Sequence, residues 1–95
     1  MPLKPSTALL SQTRDDIEAI DRELFQLVAR RMEVAAKIGE IKRQLGMPVN
    51  DPVREAELKA RIKQVVAGDL ESRHVDQLLE ALMVMSKEYQ YTDDR

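Results

Sequence analysis

A seven-residue repeat of apolar side chains most strongly limits how this chain can fold. Such a repeat predicts one long helix whose apolar face packs against another helix. Two positions of the repeat form a seam of ten side chains, nine of them aliphatic and one an arginine. A buried guanidinium is costly unless a negative group meets it, so the arginine needs an explanation. The seam consists of Leu10, Ile17, Ile20, Leu24, Leu27, Arg31, Val34, Ile38, Ile41 and Leu45.

The first helix is expected to begin near Ser6 or Thr7, with Ser11 as a later alternative, because serine and threonine cap helices. It is expected to end at Leu45, since Gly46 suits the left-handed residue that follows a helix. Roughly 38 residues would make a helix nearly 60 Å long. A compact chain of this size has a radius of gyration of only about 12 Å. We therefore expect a partner chain to cover part of this helix.

Two shorter helices, of roughly 16 and 20 residues, are expected to follow and complete an all-α fold. Asp51 and Pro52 suit the cap and first turn of the second helix, and Gly68 suits its end. The third is expected to begin at Glu71 or Ser72. Its expected apolar stripe, which Ser86 interrupts, consists of Val75, Leu78, Leu79, Leu82 and Tyr89.

Length and composition predict a single domain, 1–95, with disordered tails at 1–6 and 92–95. A net charge of −2 and 3% aromatic residues argue against nucleic-acid binding. The absence of cysteine and the single histidine argue against thiol chemistry and a metal site. No apolar run approaches the ~20 residues of a membrane span. The first residues lack the apolar core of a signal peptide, so a cytoplasmic location is expected.

One glycine, Gly39, lies inside the first helix, where glycine costs about 1 kcal/mol relative to alanine. Its place beside the seam and near Ala35 and Ala36 predicts the close approach of another backbone or of a ligand. A tolerated glycine without such a role is the alternative.

Several charged or polar side chains lie in or beside the apolar faces. Arg31 and Lys42 are eleven residues apart, ~16 Å along the axis and within ~20° on one face, so both could contact a compact dianion. Arg14 is ~25 Å from Arg31, beyond the reach of one small ligand. In an antiparallel two-fold dimer, however, Arg14 would lie alongside the middle of the other chain, giving two equivalent sites. The remaining candidates are Asp51, Arg54, Glu55, Ser86 and Gln90.

Each candidate also has an ordinary structural explanation. Arg31 could fix the register of a coiled coil or pair with a buried glutamate. Arg14 and Lys42 could be solvated charges that flank the seam, and Ser86 could be a hydroxyl that packs between helices. The residues alone leave these alternatives open.

Four segments together resemble the all-helical (AroQ-class) chorismate mutases. They are Arg-x-x-Ile-x-x-Ile-Asp at 14–21, Arg-Arg at 30–31 with Gly-Glu-Ile-Lys at 39–42, Pro-Val-Asn-Asp-Pro-Val-Arg-Glu at 48–55, and Ser-Lys-Glu-Tyr-Gln at 86–90. The resemblance covers about residues 9–91. It implies three helices in an intertwined antiparallel homodimer, and an isomerase that converts chorismate to prephenate by a Claisen rearrangement without metal or cofactor.

The resemblance also implies a role for each candidate. Arg14 of the partner chain and Arg31 would bind the two carboxylates of chorismate, with Ser86 assisting. Lys42 and Gln90 would donate hydrogen bonds to the ether oxygen as it gains charge, so Arg31, Lys42 and Gln90 are the expected catalytic residues. Glu55 and Asp51 would hold the ring hydroxyl, and Arg54 would support that corner of the site.

Two other functions fit the sequence less well. The isochorismate-pyruvate lyase branch of the fold is similar in the arginines, the lysine and the glutamine, but it tends to lack the glutamate found here as Glu55. A non-catalytic helical module that dimerises or regulates an aromatic-pathway enzyme would not need Lys42, Glu55, Ser86 and Gln90 together. Association of the enzyme with another enzyme of that pathway is a further expectation.

Overall fold

The computed structural model describes residues 6–91, which form three helices: α1 (Thr7–Leu45), α2 (Pro52–Val65) and α3 (Ser72–Tyr91). No strand occurs in this described part of the chain, which confirms the expected all-α fold. Of the predicted tails at 1–6 and 92–95, residues 1–5 and 92–95 lie outside the described residues, whereas Ser6 lies within them. None of the helices over residues 6–91 is both long and apolar enough to span a membrane. The chain divides into two compact units, Met1–Arg30 and Arg31–Arg95.

Local capping interactions set both ends of α1. The Ser6 hydroxyl accepts a hydrogen bond from the backbone N–H of Leu9 at 3.0 Å, which is the bond expected of an N-cap serine. At the other end, Gly46 has a positive φ of 69°, and the Met47 N–H donates to the Lys42 carbonyl at 2.8 Å. Helix α1 therefore begins and ends where the sequence predicts.

Helix α2 begins as predicted but ends earlier. The Asp51 carboxylate accepts a hydrogen bond from the Arg54 N–H at 3.1 Å and caps the helix ahead of Pro52. The helix ends at Val65, and a turn leads to Gly68, whose φ is 88°. The predicted end at Gly68 was late because the glycine closes this turn instead of the helix itself.

The seam side chains in the unit Met1–Arg30 are open to solvent in the single chain. The least exposed of them, Leu24, is 41% exposed, and the most exposed, Ile20, is 63% exposed. A contiguous exposed apolar stripe of this kind is typical of an interaction surface. The other members are Leu10, Ile17 and Leu27.

The main apolar cluster of the unit Arg31–Arg95 lies between α2 and α3, and Met32 and Ala35 of α1 are also buried. Val75, Leu79 and Met83 repeat every four residues along α3 and are at most 7% exposed. They pack against partly buried apolar side chains, namely Leu58, Ile62, Val66 and Leu82. Two members of the expected stripe, Leu78 and Tyr89, are instead half exposed. The predicted stripe was partly wrong because α3 buries a different face. Its buried residues follow one another at intervals of three or four, and they are Val75, Leu79, Met83, Ser86 and Gln90.

Candidate active site

A cavity of about 480 Å³ lies in the unit Arg31–Arg95. It is bordered by the C-terminal part of α1, the connection to α2, the first turns of α2 and the C-terminal half of α3. Its apolar wall includes Val34, Ile38 and Met83. Seven of the eight predicted site residues line it: Arg31, Lys42, Asp51, Arg54, Glu55, Ser86 and Gln90.

The eighth predicted residue, Arg14, lies in the unit Met1–Arg30 and is exposed. It does not line the cavity of its own chain. This is in keeping with the sequence argument that one small ligand cannot contact both Arg14 and Arg31 of one helix.

Arg31 is held on the cavity wall by two acceptors on α3. Its guanidinium donates to the Ser86 hydroxyl and to the Leu82 carbonyl at 3.3 Å. Ser86 in turn donates to the same carbonyl at 2.7 Å. Burial lowers the pKa of Arg31 from its usual value, although a guanidinium still stays protonated at neutral pH. Within residues 6–91 no carboxylate forms an ion pair with Arg31, so its positive charge is available to an anionic ligand.

Lys42 lies two turns beyond Val34 and Ala35 on the same wall and is held from the connection to α2. Its ammonium donates a hydrogen bond to the Val49 carbonyl at 2.9 Å. An ammonium has three donors, so this bond fixes the side chain and leaves others for a ligand. The residue is half-buried, which strengthens its electrostatic interactions relative to those in open water.

Gln90 brings a buried amide to the cavity. The residue is 8% exposed, and its Oε1 has no hydrogen-bond partner among the described residues. Leaving a buried polar group unpaired costs about 1–3 kcal/mol. A ligand group that donates to Oε1, or a turn of the amide that lets its NH₂ group donate to a ligand there, would recover part of that cost.

The backbone of Gln90 is positioned by α1. A β-carbon on Gly39 would lie 2.6 Å from the Gln90 carbonyl oxygen and 2.7 Å from its Cα. This confirms the predicted close approach of another backbone. One turn later, Arg43 donates to the same carbonyl at 2.9 Å. Arg43 also donates to the Glu40 carboxylate, and this hydrogen bond lowers the pKa of Glu40.

Arg43 was not among the predicted site residues. Its place four residues after Gly39, on the same helix face, was the available signal. That signal becomes useful only when the element that approaches Gly39 is known.

The start of α2 contributes the acidic side of the cavity. The Asp51 carboxylate caps α2, as described above, and Glu55 lies in its first turn. The Glu55 Oε1 atom is 3.1 Å from the Lys87 ammonium. Arg54 is exposed, and its guanidinium is 4.0 Å from the Glu57 carboxylate.

Lys87 lines the cavity although it was not among the predicted site residues. It lies four residues after Met83 and three before Gln90, a spacing that places all three on one face of α3. This spacing could have predicted it. A lysine between Ser86 and Glu88 looks like an ordinary surface residue in the sequence, however.

The charged side chains around the cavity favour an anionic ligand. The four cations Arg31, Lys42, Arg54 and Lys87 outnumber the two carboxylates, Asp51 and Glu55, which leaves an excess of two positive charges. A small molecule with two negative charges would complement this excess. The volume also lies in the ~300–1,000 Å³ range of small-molecule sites.

The amino-acid sequence is similar to known proteins over most of its length. A protein named chorismate mutase from Methanocaldococcus jannaschii is 41% identical over 56 residues, which are 59% of this chain and 57% of that protein. The T-protein of Haemophilus influenzae is 35% identical over 75 residues, which are 78% of this chain and 20% of that protein. A bifunctional chorismate mutase/prephenate dehydratase from Aquifex aeolicus is 36% identical over 63 residues, 17% of its length.

This chain thus spans between 17% and 57% of the length of these relatives. No solved structure matches it significantly. The family described as chorismate mutase type II matches residues 13–91, a range that contains Arg14 and every residue around the cavity. The resemblance seen in the four sequence segments is therefore confirmed, and the chain belongs to the chorismate mutase type II family.

Proposed function

We propose that this protein is an isomerase that converts chorismate to prephenate in aromatic amino-acid biosynthesis. The observation that carries the proposal is the convergence of seven predicted side chains on one cavity with two excess positive charges. These side chains come from α1, the α1–α2 connection, α2 and α3. Chorismate is a dianion, and its charge complements that of the cavity.

Arg31 would bind one of the two carboxylates of the substrate. The guanidinium is already oriented by Ser86 and the Leu82 carbonyl, so little side-chain freedom remains to be lost when a carboxylate binds. One guanidinium can bind a carboxylate through two parallel hydrogen bonds. Arg14 of a partner chain would bind the second carboxylate. Together the two arginines would hold the substrate in the compact conformer from which the rearrangement proceeds.

Lys42 and Gln90 would stabilise the ether oxygen of the carbon–oxygen bond that breaks. In the Claisen rearrangement a carbon–oxygen bond breaks while a carbon–carbon bond forms, and negative charge builds up on the ether oxygen. The Lys42 ammonium and the Gln90 amide would donate hydrogen bonds to that oxygen, which stabilises the transition state more than the substrate. The broad terminal torsion of glutamine lets its NH₂ group turn to where Oε1 now lies.

Glu55 favours chorismate mutase activity over isochorismate-pyruvate lyase activity. Glu55 lines the cavity from the first turn of α2. A carboxylate there accepts a hydrogen bond from the ring hydroxyl of chorismate, with Asp51 next to it. We therefore place the ring hydroxyl at this corner, supported by Arg54.

A homodimer would complete the site. The apolar stripe on the unit Met1–Arg30, from Leu10 to Leu27, is exposed in the single chain. A second copy of the same stripe could pack against it in an antiparallel two-fold arrangement. Arg14 lies on the helix that carries this stripe. We propose that the whole chain acts as one domain of an intertwined dimer in which each site receives Arg14 from the partner.

The proposal is tested by incubating the purified protein with chorismate. The loss of chorismate absorbance is followed, and the product is identified by chromatography. Prephenate is the expected product. Pyruvate would assign the chain to the lyase activity, and no turnover by the dimer would leave a non-catalytic role; either result overturns the proposal.

We also propose association with an enzyme that consumes prephenate. A relative named as both chorismate mutase and prephenate dehydratase supports this, since the similar segment is 17% of that longer protein. Co-purification of the chain with the prephenate-consuming enzyme of its own organism tests the association, and separate elution of the two proteins contradicts it. The cytoplasmic location expected from the sequence stays a prediction.

A further inference from the structure

Three lysine–carboxylate pairs join α2 to α3, and one of them is reversed. Lys59 pairs with Glu80 at 3.1 Å and Lys63 pairs with Asp76 at 2.8 Å, so both lysines lie on α2. In the third pair, the carboxylate of Glu55 is on α2 and Lys87 is on α3, at 3.1 Å. This reversed pair is the one whose two members line the cavity. The lysines and carboxylates of the first two pairs do not line the cavity, whereas the third pair lies where a ligand would bind.

The reversed pair, Glu55 with Lys87, reduces the repulsion between Glu55 and a dianionic ligand in the cavity. A free carboxylate at Glu55 would repel a dianionic ligand, because like charges in a partly buried site interact strongly. The Lys87 ammonium cancels this charge at close range. It also limits the rotamers of Glu55, whose side chain is 27% exposed. The other charged groups around the cavity are Arg31, Lys42, Asp51 and Arg54.

We propose that Lys87 is a positioning residue of this site. It orients the Glu55 carboxylate to accept the ring hydroxyl, and it neutralises that carboxylate toward the two negative charges of the substrate. Lys87 acts through Glu55 because its ammonium is 3.1 Å from Glu55 Oε1. This role rests on the proposed function.

The experiment compares Lys87→Met, Lys87→Arg and the matched control Lys59→Met. Lys59 and Lys87 are 34% and 35% exposed and form α2–α3 ion pairs of equal length, but Lys59 does not line the cavity. We expect Lys87→Met to raise KM for chorismate about tenfold and to change kcat by less than about threefold. Lys87→Arg should restore most of the affinity, and Lys59→Met should leave KM unchanged. Circular dichroism confirms that each variant folds, and Lys87→Gln replaces Lys87→Met if the latter does not.

A double-mutant cycle with Glu55→Gln separates positioning from direct binding. In the Glu55→Gln background, where the carboxylate that pairs with Lys87 is gone, we expect the change at Lys87 to alter KM by less than about twofold. An equal rise in KM in both backgrounds would show that Lys87 binds the substrate itself and would overturn the proposal. If the wild-type protein turns over chorismate and Lys87→Met has the same KM as the wild type, the proposal is also overturned. No wild-type turnover would overturn the proposed function and this role together.

Discussion

Gly39 and Gln90 lie so close together that a β-carbon on residue 39 would be 2.6 Å from the Gln90 carbonyl oxygen. This contact joins α1 to the end of α3 and sets how far the Gln90 amide extends into the cavity. The Gln90 carbonyl oxygen is a backbone atom, so it cannot move aside as the end of a flexible side chain would. Local packing and the proposed catalytic geometry therefore depend on the same glycine.

Gly39→Ala is expected to destabilise the fold by about 1–3 kcal/mol, as overpacking usually does. It should also lower kcat by tenfold or more, because a displacement of about 1 Å in a catalytic group can cost ~10²-fold. Gly46→Ala is the control, since Gly46 has a positive φ but no atom within 4 Å of its added β-carbon. The control should lose stability and keep kcat. Equal kcat in both variants would contradict the positioning role of Gly39.

Lys42→Ala is expected to lower kcat by about 10²-fold or more, as removal of one preorganised donor does in other enzymes. KM should change less, because the donor acts mainly on charge that develops in the transition state. Lys37→Ala, an exposed lysine on the same helix, should retain normal kinetics. A near-normal kcat for Lys42→Ala would remove Lys42 from the catalytic role.

Ser86→Ala is expected to lower kcat/KM about tenfold, since hydrogen bonds to charged groups contribute about 1.5–3 kcal/mol. The change removes the hydroxyl that orients Arg31. Thr13→Ala provides the control: its hydroxyl bonds to the carbonyl four residues earlier at 2.8 Å, as Ser86 does at 2.7 Å, but on an exposed part of α1. The role of Ser86 is wrong if both variants have wild-type kcat/KM.

Arg14→Ala and Lys42→Ala proteins, each nearly inactive, are expected to regain activity when mixed and allowed to exchange subunits. In the proposed dimer one of the two sites of each heterodimer is intact, so an equal mixture should reach about a quarter of wild-type activity. Mass spectrometry of the native proteins verifies that exchange has occurred. Complete exchange without recovered activity would rule out a site shared between two chains.

Leu24→Asp is expected to weaken the dimer, because it places a charge in the apolar stripe at a position that is 41% exposed in the single chain. Ala29→Asp introduces the same charge five residues later, away from the stripe. Light scattering coupled to size-exclusion chromatography gives the mass in solution. We expect a smaller mass for Leu24→Asp alone at low protein concentration; a monomeric wild type would contradict the dimer.

Local chemistry determined the helices of this protein. The bonds that cap α1 and α2 join residues only three apart, Ser6 to Leu9 and Asp51 to Arg54. Such contacts can be predicted from short stretches of sequence. The seven-residue repeat likewise identified α1 and the position of Arg31 within it. The types and order of the site residues were predicted by resemblance to a family, and the cavity contains all of them except Arg14.

Tertiary structure decided which side chains meet and what each one contacts. Arg31 reaches Ser86 across 55 positions of sequence, and Arg43 reaches Gln90 across 47. Periodicity identifies the face of a helix, but it does not say which helix packs there or how far that helix is shifted along its axis. Lys87 was missed for this reason: its spacing from Met83 and Gln90 gives its helix face, but the tertiary fold is what places Glu55 within 3.1 Å of it. A side chain gains such a role when packing brings a distant partner within hydrogen-bond distance, and this distance depends on the whole fold.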